Sequence, residues 1–426
     1  MTHKIGRTVG KRKHRKALAK TPSLALALLA FAAFVQAQES TLTLDKAVEI
    51  ALSRHPEVLS AQQAVRAAAG RKLQAEARPE PGLTLSTEGI PFNLKTEEGQ
   101  ATEINLGLEQ TFEFPGKRAL RAEIGRLGED MAVLELEQVR LTLAARVKKA
   151  YYRAVLAGRI VAALEPSVGL LDGFIENIEI RYEGGKAVYG DILRARIEKA
   201  RLQNRIIEER RELGAARTEI LHFLGRSSRD TVRFSTDLVY VPFGKTALQV
   251  LDAARGTRPS FKMAAARSQQ TEIEMKLASL LRKPDLKAGV FLPSKDIKNW
   301  GFVLSLSLPV SQRRWAGVRV EADAARETGL IAVDAVEKRL TAMIDTAYAS
   351  VRAAEDQVRI FEQSLLAEIQ DEFKISIEYY QYGKMEAYAL LDLFRSGTEA
   401  QIEHLRALYL YAVAMADLDV AGEDGE

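Results

Sequence analysis

The chain has 426 residues, a formal net charge of +4, five histidines and no cysteine. Without cysteine it can form no disulfide, no thiolate metal site and no cysteine nucleophile. The histidines beyond residue 37 are His55, His222 and His404, which are too far apart in sequence to show metal-ligand spacing. We therefore expect no metal site and no cofactor.

Residues 1–37 are interpreted as a secretory signal peptide. Eight Lys and Arg and no acid stand in the first twenty residues, an apolar run follows from Leu24 to Val35, and Val35-Gln36-Ala37 resembles a cleavage site. The alternative, a basic arm that binds nucleic acid, would not need the apolar run. Removing this +8 segment from a chain of +4 leaves −4, so we expect no nucleic-acid partner. No cysteine follows the cleavage site, which argues against a lipoprotein.

The remaining chain contains two copies of one structural unit. We place the first repeat at residues 38–225, a linker at 226–245, the second repeat at 246–422 and an acidic tail at 423–426. Each repeat opens with an amphipathic helix, a basic residue before proline (His55-Pro56 and Arg258-Pro259), and a second helix. Beyond residue 37 there is no run of eighteen consecutive apolar residues, so we expect no transmembrane helix.

Two segments with alternating apolar residues follow in each repeat, at 82–90 and 103–114 and then at 285–292 and 300–310. Alternation with period 2 predicts strands with one apolar face. Their length of about nine to eleven residues is enough to cross a bilayer when tilted. Taken alone, the pattern fits soluble hairpins on a core equally well. The signal peptide and the duplication favour a membrane barrel.

A proline-containing turn then leads into a very long helix in each repeat. The first helix, from Gly116 to Tyr182, has apolar residues at coiled-coil spacings and would extend roughly 100 Å if it stayed helical throughout. Gly184 and Gly185 in the first copy, and Gly383 in the second, are predicted hairpin turns, because glycine allows backbone angles that other residues resist. A return helix follows each turn. The predicted class is α+β.

Three stretches carry a resemblance that covers essentially the whole chain after the signal peptide: LTLDKAVEIALSRHPEV, TFEFPGKRALRA and RYEGGKAVYGDILRARIEKARLQNRI. They resemble, in this order, the start, the strand-to-helix turn and the hairpin tip of outer-membrane efflux proteins of the TolC-like family. The PGKR turn looks most like the heavy-metal-efflux branch that serves resistance-nodulation-division pumps. The resemblance implies a homotrimer in which four strands per protomer close a 12-stranded outer-membrane β-barrel, continued by a helical coiled-coil barrel through the periplasm.

The resemblance also implies a function and a set of partners. The chain would be a passive exit duct for metal cations or small toxic compounds, embedded in outer-membrane lipid. An inner-membrane efflux pump would deliver the cargo through a periplasmic adaptor protein. A type I secretion duct shares this architecture, and a soluble periplasmic coiled-coil adaptor is the alternative of another class. No catalytic motif is found in the sequence, so we do not expect an enzyme.

The candidate site residues lie at the two hairpin tips. Asp392 and Asp191 are candidates for a periplasmic gate that favours cations, or for helix N-terminal acids favoured by the dipole. The tip tyrosines either bridge neighbouring hairpins or, as we favour, pack the tip; they are Tyr182, Tyr189, Tyr380 and Tyr388. Lys186 and Lys384 would face the adaptor, or are solvated surface lysines.

Overall fold

The computed structural model describes residues 40–88, 103–293, 300–362 and 365–422. The predicted signal peptide, the acidic tail, and Gly89 and Ile90 at the end of the first predicted strand lie outside the described residues.

The elements recur in the same order in both halves of the chain. The first half holds β1 (Ser40–Leu42), α1 (Leu44–Arg54), α2 (Pro56–Glu76), β2 (Gly82–Glu88), β3 (Glu103–Phe112), α3 (Lys117–Glu183) and α4 (Tyr189–Phe223). The second holds β4 (Val232–Phe234), α5 (Ala247–Thr257), α6 (Pro259–Leu280), β5 (Leu286–Pro293), β6 (Gly301–Leu306), α7 (Gln312–Glu362), α8 (Leu365–Gln381) and α9 (Ala387–Ala421). This mostly helical chain with four longer strands confirms the predicted class. The domain boundaries stay predictions.

The four predicted strands form one antiparallel sheet in the order β2-β3-β5-β6. The register places apolar residues in rows across the sheet, such as Leu83, Leu108, Val290 and Phe302. A second row joins Phe112, Leu286 and Leu306. All of these side chains are exposed in the protomer, and Phe302 is 73% exposed. The sheet therefore presents an uncovered apolar face, with Gln110 as the polar interruption in β3.

The opposite face of the sheet carries the polar residues of β2 and β3, and two side chains pack closely over glycines of β5 and β6. Thr84, Ser86, Asn105 and Thr111 alternate with the apolar residues of β2 and β3. The Phe291 ring covers Gly301 so closely that a Cβ there would lie 2.3 Å from the ring, and Glu109 lies over Gly289 in the same way. A side chain at Gly289 would also press on the Leu108 carbonyl oxygen at 3.0 Å, whereas one at Gly301 would displace the Phe291 ring.

The predicted long helix of the first repeat is one continuous helix, α3, of 67 residues that runs through Pro166. At 1.5 Å per residue this is about 100 Å. Ion pairs join α3 to the returning α4, including Glu179–Arg196 at 2.7 Å and Glu165–Arg210 at 2.6 Å. In the described residues, α3 is also the helix with an 18-residue stretch apolar enough to cross a membrane by length and composition, and a third of that stretch is buried.

A glycine in each repeat lets a long helix approach the short helix before it. A Cβ on Gly125 of α3 would lie 3.0 Å from the Lys72 Cα of α2, and one on Gly329 of α7 would lie 3.2 Å from the Ser268 Cα of α6. The described residues form two buried cores. One surrounds Tyr151 near the middle of the molecule, and the other surrounds Tyr380 toward the hairpin tips.

A residue of the second repeat stabilises the turn between the sheet and α3. Gly116 adopts a φ of 95° before α3 begins. The Phe114 N–H donates to Asp285 Oδ1 at 2.8 Å, and Asp285 lies directly before β5. Both long helices therefore start from the same end of the sheet, where the four strands end or begin.

Candidate functional site

The first hairpin tip is closed by a left-handed glycine at the end of α3. Gly185 has a φ of 68°, its N–H donates to Tyr182 O at 2.9 Å, and the Lys186 N–H donates to Arg181 O at 2.7 Å. These two bonds are those of a Schellman motif, which satisfies carbonyls that a helix end leaves unpaired. The chain then enters α4 at Tyr189 after an extended residue, Val188.

The second tip has the same geometry around Gly383, with a φ of 73°. Its N–H donates to Tyr380 O at 3.0 Å, and the Lys384 N–H donates to Tyr379 O at 2.8 Å. The position that corresponds to Gly184 is Tyr382. Gly184 itself has a φ of −80°, which any residue adopts. The expectation that Gly184 uses a backbone angle that other residues resist is therefore wrong.

Arg181, near the end of α3, joins the two hairpins. Its Nη1 donates to Tyr380 O at 2.5 Å and to Gln381 O at 3.4 Å, and its guanidinium carbon lies 4.8 Å from the centroid of the Tyr380 ring. The two carbonyls belong to the last turn of α8, where a positive charge is favoured by the helix dipole. Arg181, a residue of the first hairpin, therefore caps the C-terminal end of α8 in the second hairpin.

Tyr380 is the most buried of the tip tyrosines, at 3% exposure. Its ring packs edge-on against Phe174 of α3 at a centroid distance of 4.9 Å. Burial raises the pKa of its hydroxyl; the nearby Arg181 charge opposes this rise and the Asp191 charge adds to it. Tyr380 therefore packs between the hairpins, as we favour for these tyrosines.

The two candidate acids are not equivalent positions of the two repeats. When Gly185 is aligned with Gly383, Asp191 corresponds to Ala389 and Asp392 corresponds to Arg194. Asp191 lies in the first turn of α4, and its side chain is only 19% exposed. It lies 3.8 Å from Arg194 Nη1.

Asp392 lies further along α9 and is open to solvent. Its side chain is 62% exposed, and its Oδ1 accepts a hydrogen bond from Arg395 at 2.5 Å. Within the protomer, Asp191 of the first tip is therefore partly buried, whereas Asp392 of the second tip lies on the surface.

The other tip candidates lie on the surface of the protomer. The Tyr182 and Tyr189 rings lie 6.1 Å apart within the first hairpin, and both are about half exposed. Tyr388 is 57% exposed. Lys186 and Lys384 are exposed.

Sequence reasoning missed Arg181, although it stands in the quoted stretch RYEGG. The signal that could have identified it is the difference between the repeats, because the corresponding residue of the second tip is Tyr379. An apolar cavity of about 290 Å³ near this contact is lined by Gly169, Gly173, Phe174, Tyr380 and Phe394, with other residues of α3, α8 and α9. The hairpins therefore meet at a close polar contact beside loosely filled space.

Comparisons with known proteins agree with this architecture. Residues 47–226 match the family model described as "Outer membrane efflux protein". A comparison with curated proteins finds no match. Among solved structures, the chain is similar to CusC, with a TM-score of 0.75 at 19% identity, covering 89% of this chain and 91% of that one.

Two further outer-membrane proteins show the same fold. The chain is similar to VceC of Vibrio cholerae, with a TM-score of 0.75 at 16% identity, covering 89% of this chain and 96% of that one. The MtrE channel of Neisseria gonorrhoeae gives a TM-score of 0.75 at 17% identity, covering 89% of each chain. The family model thus matches less than half of the chain, and the solved structures, all below 20% identity, show a shared fold.

Proposed function

We propose that this chain is the outer-membrane channel of a tripartite efflux system, a passive duct and not an enzyme. The observation that carries the proposal is the exposed apolar face of the four-stranded sheet, which continues at one end into two long helices of 67 and 51 residues, the first about 100 Å long. A soluble protein would bury such a face, because exposed apolar patches of this kind mark interaction or membrane surfaces.

Three copies of the chain would close the sheet. The edge strands β2 and β6 each pair on one side within the protomer. Open strand edges are not tolerated in lipid, since unpaired backbone groups cost several kcal/mol there. A homotrimer with β2 of one copy beside β6 of the next makes the 12-stranded barrel that the family resemblance implies, with the apolar face toward lipid and the polar face toward the lumen.

The paired helices would carry the duct through the periplasm toward an adaptor protein and an inner-membrane pump. Their far ends are the tips described above, where exposed Lys186 and Lys384 are positioned to meet an adaptor. At the same tips, the Arg181 contact holds the two hairpins of a protomer together. We propose that this contact stabilises the closed tip, and that Asp392 supplies the exposed charge that favours cations there.

The cargo class remains part of this proposal. The PGKR turn suggests the heavy-metal branch, but Lys117 of that turn is buried, with its Nζ 2.8 Å from Asp285 Oδ1. The turn therefore has a structural role that does not depend on the cargo. An export assay with metal cations and with small organic toxicants separates these cargo classes, and a secreted polypeptide as cargo would indicate a type I secretion duct.

The soluble-adaptor alternative is less well supported. Its hairpin would be flanked by many short strands, whereas this chain joins two copies of a strand pair and a long hairpin through one sheet. Fractionation of membranes and electrophoresis of unheated samples test the proposal. We expect a heat-labile trimer in the outer membrane; a soluble monomer would refute it.

A further inference from the structure

A belt of basic residues borders the sheet at the end where the helices begin. The four bordering segments, at 77–81, 113–118, 281–285 and 307–314, hold seven basic and three acidic residues. Two of the acids are already paired: Asp285 with Lys117 at 2.8 Å, and Glu113 with Arg121. After these two pairs are removed, one acid, Glu80, and six cations remain: Arg78, Arg118, Arg282, Lys283, Arg313 and Arg314. We call these six residues the junction belt.

The junction belt gathers six exposed cations at one end of the sheet. All six side chains are exposed, and within the described ranges none has a carboxylate at ion-pair distance. Along the helices, by contrast, cations commonly meet acids, as in Lys72–Glu129 at 2.9 Å and Lys148–Asp419 at 2.6 Å. Six exposed like charges at one level repel one another unless anions from outside neutralise them.

The position of two of these cations adds to this repulsion. Arg118 lies in the first turn of α3, and Arg313 lies in the first turn of α7; neither turn contains an acid. Helix N-termini carry a partial positive charge and favour anions. Both long helices therefore begin with the charge that their own dipole disfavours.

The belt is continuous with the apolar face of the sheet. Phe112 ends that face, and the Lys283 ammonium lies 6.0 Å from the centroid of the Phe114 ring just beyond it. Just beyond the last strand, Leu308 and Val310 are 69% and 82% exposed and are followed by Arg313 and Arg314. Apolar surface thus gives way to cations within a few residues, as at the boundary between acyl chains and headgroups.

We infer that the junction belt binds the phosphates of anionic phospholipids in the periplasmic leaflet, while their acyl chains lie on the apolar face. This inference rests on the proposed function, because it requires the sheet to lie in the membrane. The belt fixes the depth of the sheet in the bilayer, since each cation near an anionic surface is attracted to it.

The test uses the full-length assembled protein in nanodiscs of phosphatidylethanolamine and phosphatidylglycerol mixed three to one. The lipids that stay bound after detergent exchange are quantified. We expect phosphatidylglycerol to be enriched at least about threefold over its share of the bilayer. The variant Arg118→Gln/Arg313→Gln/Arg314→Gln should retain the two lipids near the bulk ratio.

A matched variant, Arg140→Gln/Lys262→Gln/Arg339→Gln, removes the same charge from exposed positions on the helices away from the junction. It should keep the enrichment of the unaltered protein. If the triple junction variant does not assemble, Arg118→Gln and Arg314→Gln are measured singly and should each lower the enrichment.

The outcomes separate the inference from the proposed function. A chain that enters no nanodisc would refute the proposed function itself. A chain that inserts but holds phosphatidylglycerol at the bulk ratio would overturn the inference alone. A junction variant that keeps the enrichment while the ion selectivity of the channel changes would place the belt in the lumen, and would overturn it as well.

Discussion

The Nζ atom of Lys117 lies 2.8 Å from Asp285 Oδ1 and 2.8 Å from the carbonyl oxygen of Lys283. Lys117 starts the long helix of the first repeat, and Asp285 precedes the first strand of the second. The Lys117 side chain is 4% exposed, and that of Asp285 is 30% exposed. One ion pair therefore ties together the two repeats at the level where sheet becomes helix.

Replacing Lys117 by Met should destabilise the protein by about 3 kcal/mol, because a largely buried pair loses one partner and Asp285 is left uncompensated. The loss is measured as a lower Tm of the purified channel. The double variant Lys117→Met/Asp285→Asn should recover part of it, since no lone carboxylate remains. A double variant that is less stable than the single one would contradict this account.

The same pair predicts a dependence of stability on pH. Burial raises the pKa of the Asp285 carboxyl, but hydrogen bonds from Lys117 and from the Phe114 N–H outweigh it and hold the pKa below its usual value. A lowered carboxyl pKa contributes stability above the unfolded value near 4 and loses it as pH falls through the folded pKa. In Lys117→Met, the drop in Tm below about pH 4 should be shallower.

Arg181→Met should loosen the contact between the hairpins, because the last carbonyls of α8 lose their donor. We expect the resting conductance of the reconstituted channel to rise severalfold. Arg194→Met removes another arginine of the same tip, whose side chain is 64% exposed, and should change the resting conductance little. Equal conductance in Arg181→Met and the unaltered channel would show that this contact does not limit opening.

Asp392→Ala should lower the preference for cations, since it removes an exposed charge at the tip. Asp191→Ala should affect selectivity less and stability more, because its side chain is partly buried. The reversal potential in a salt gradient measures the first effect, and Tm measures the second. Unchanged selectivity in Asp392→Ala would exclude this residue as the selective acid.

The neighbouring glycines of the first tip should respond differently to alanine. Gly185→Ala should cost about 1 kcal/mol, because a Cβ disfavours the left-handed region in which Gly185 lies. Gly184→Ala should be close to neutral, since its φ is ordinary and a Cβ would have no atom closer than 3.6 Å. Thermal unfolding of the two variants side by side checks this, and equal losses would contradict it.

Two glycines inside α3 form a similar pair. Gly173→Ala should raise stability by up to about 1 kcal/mol, because a Cβ there meets nothing within 4 Å and alanine favours helix. Gly125→Ala should lower stability, because a Cβ would press on the backbone of α2 at Lys72. A shift of Tm in the same direction for both variants would argue against this packing.

The sequence by itself determined the repeated architecture. Periods of 2 and of 3.6 are local properties of the chain, so the four strands and the long helices could be predicted from the alternation in segments such as 103–114 and from the coiled-coil spacing after Gly116. The turns at Gly185 and Gly383 were also visible, because the same Tyr-x-x-Gly-Lys pattern recurs between two long helical segments of each repeat. The predictions of the signal peptide and of the exact domain boundaries still rest on the sequence alone.

Only the tertiary structure decided which residues meet. Arg181 and Tyr380 are 199 residues apart, and Lys117 and Asp285 are 168 apart, so no local pattern relates them. The structure also showed that Asp191 and Asp392 are not equivalent, and that Gly184 needs no special backbone angle. The physical reason is that periodicity reports which face of an element is apolar, whereas contacts between elements depend on how the two repeats pack against each other.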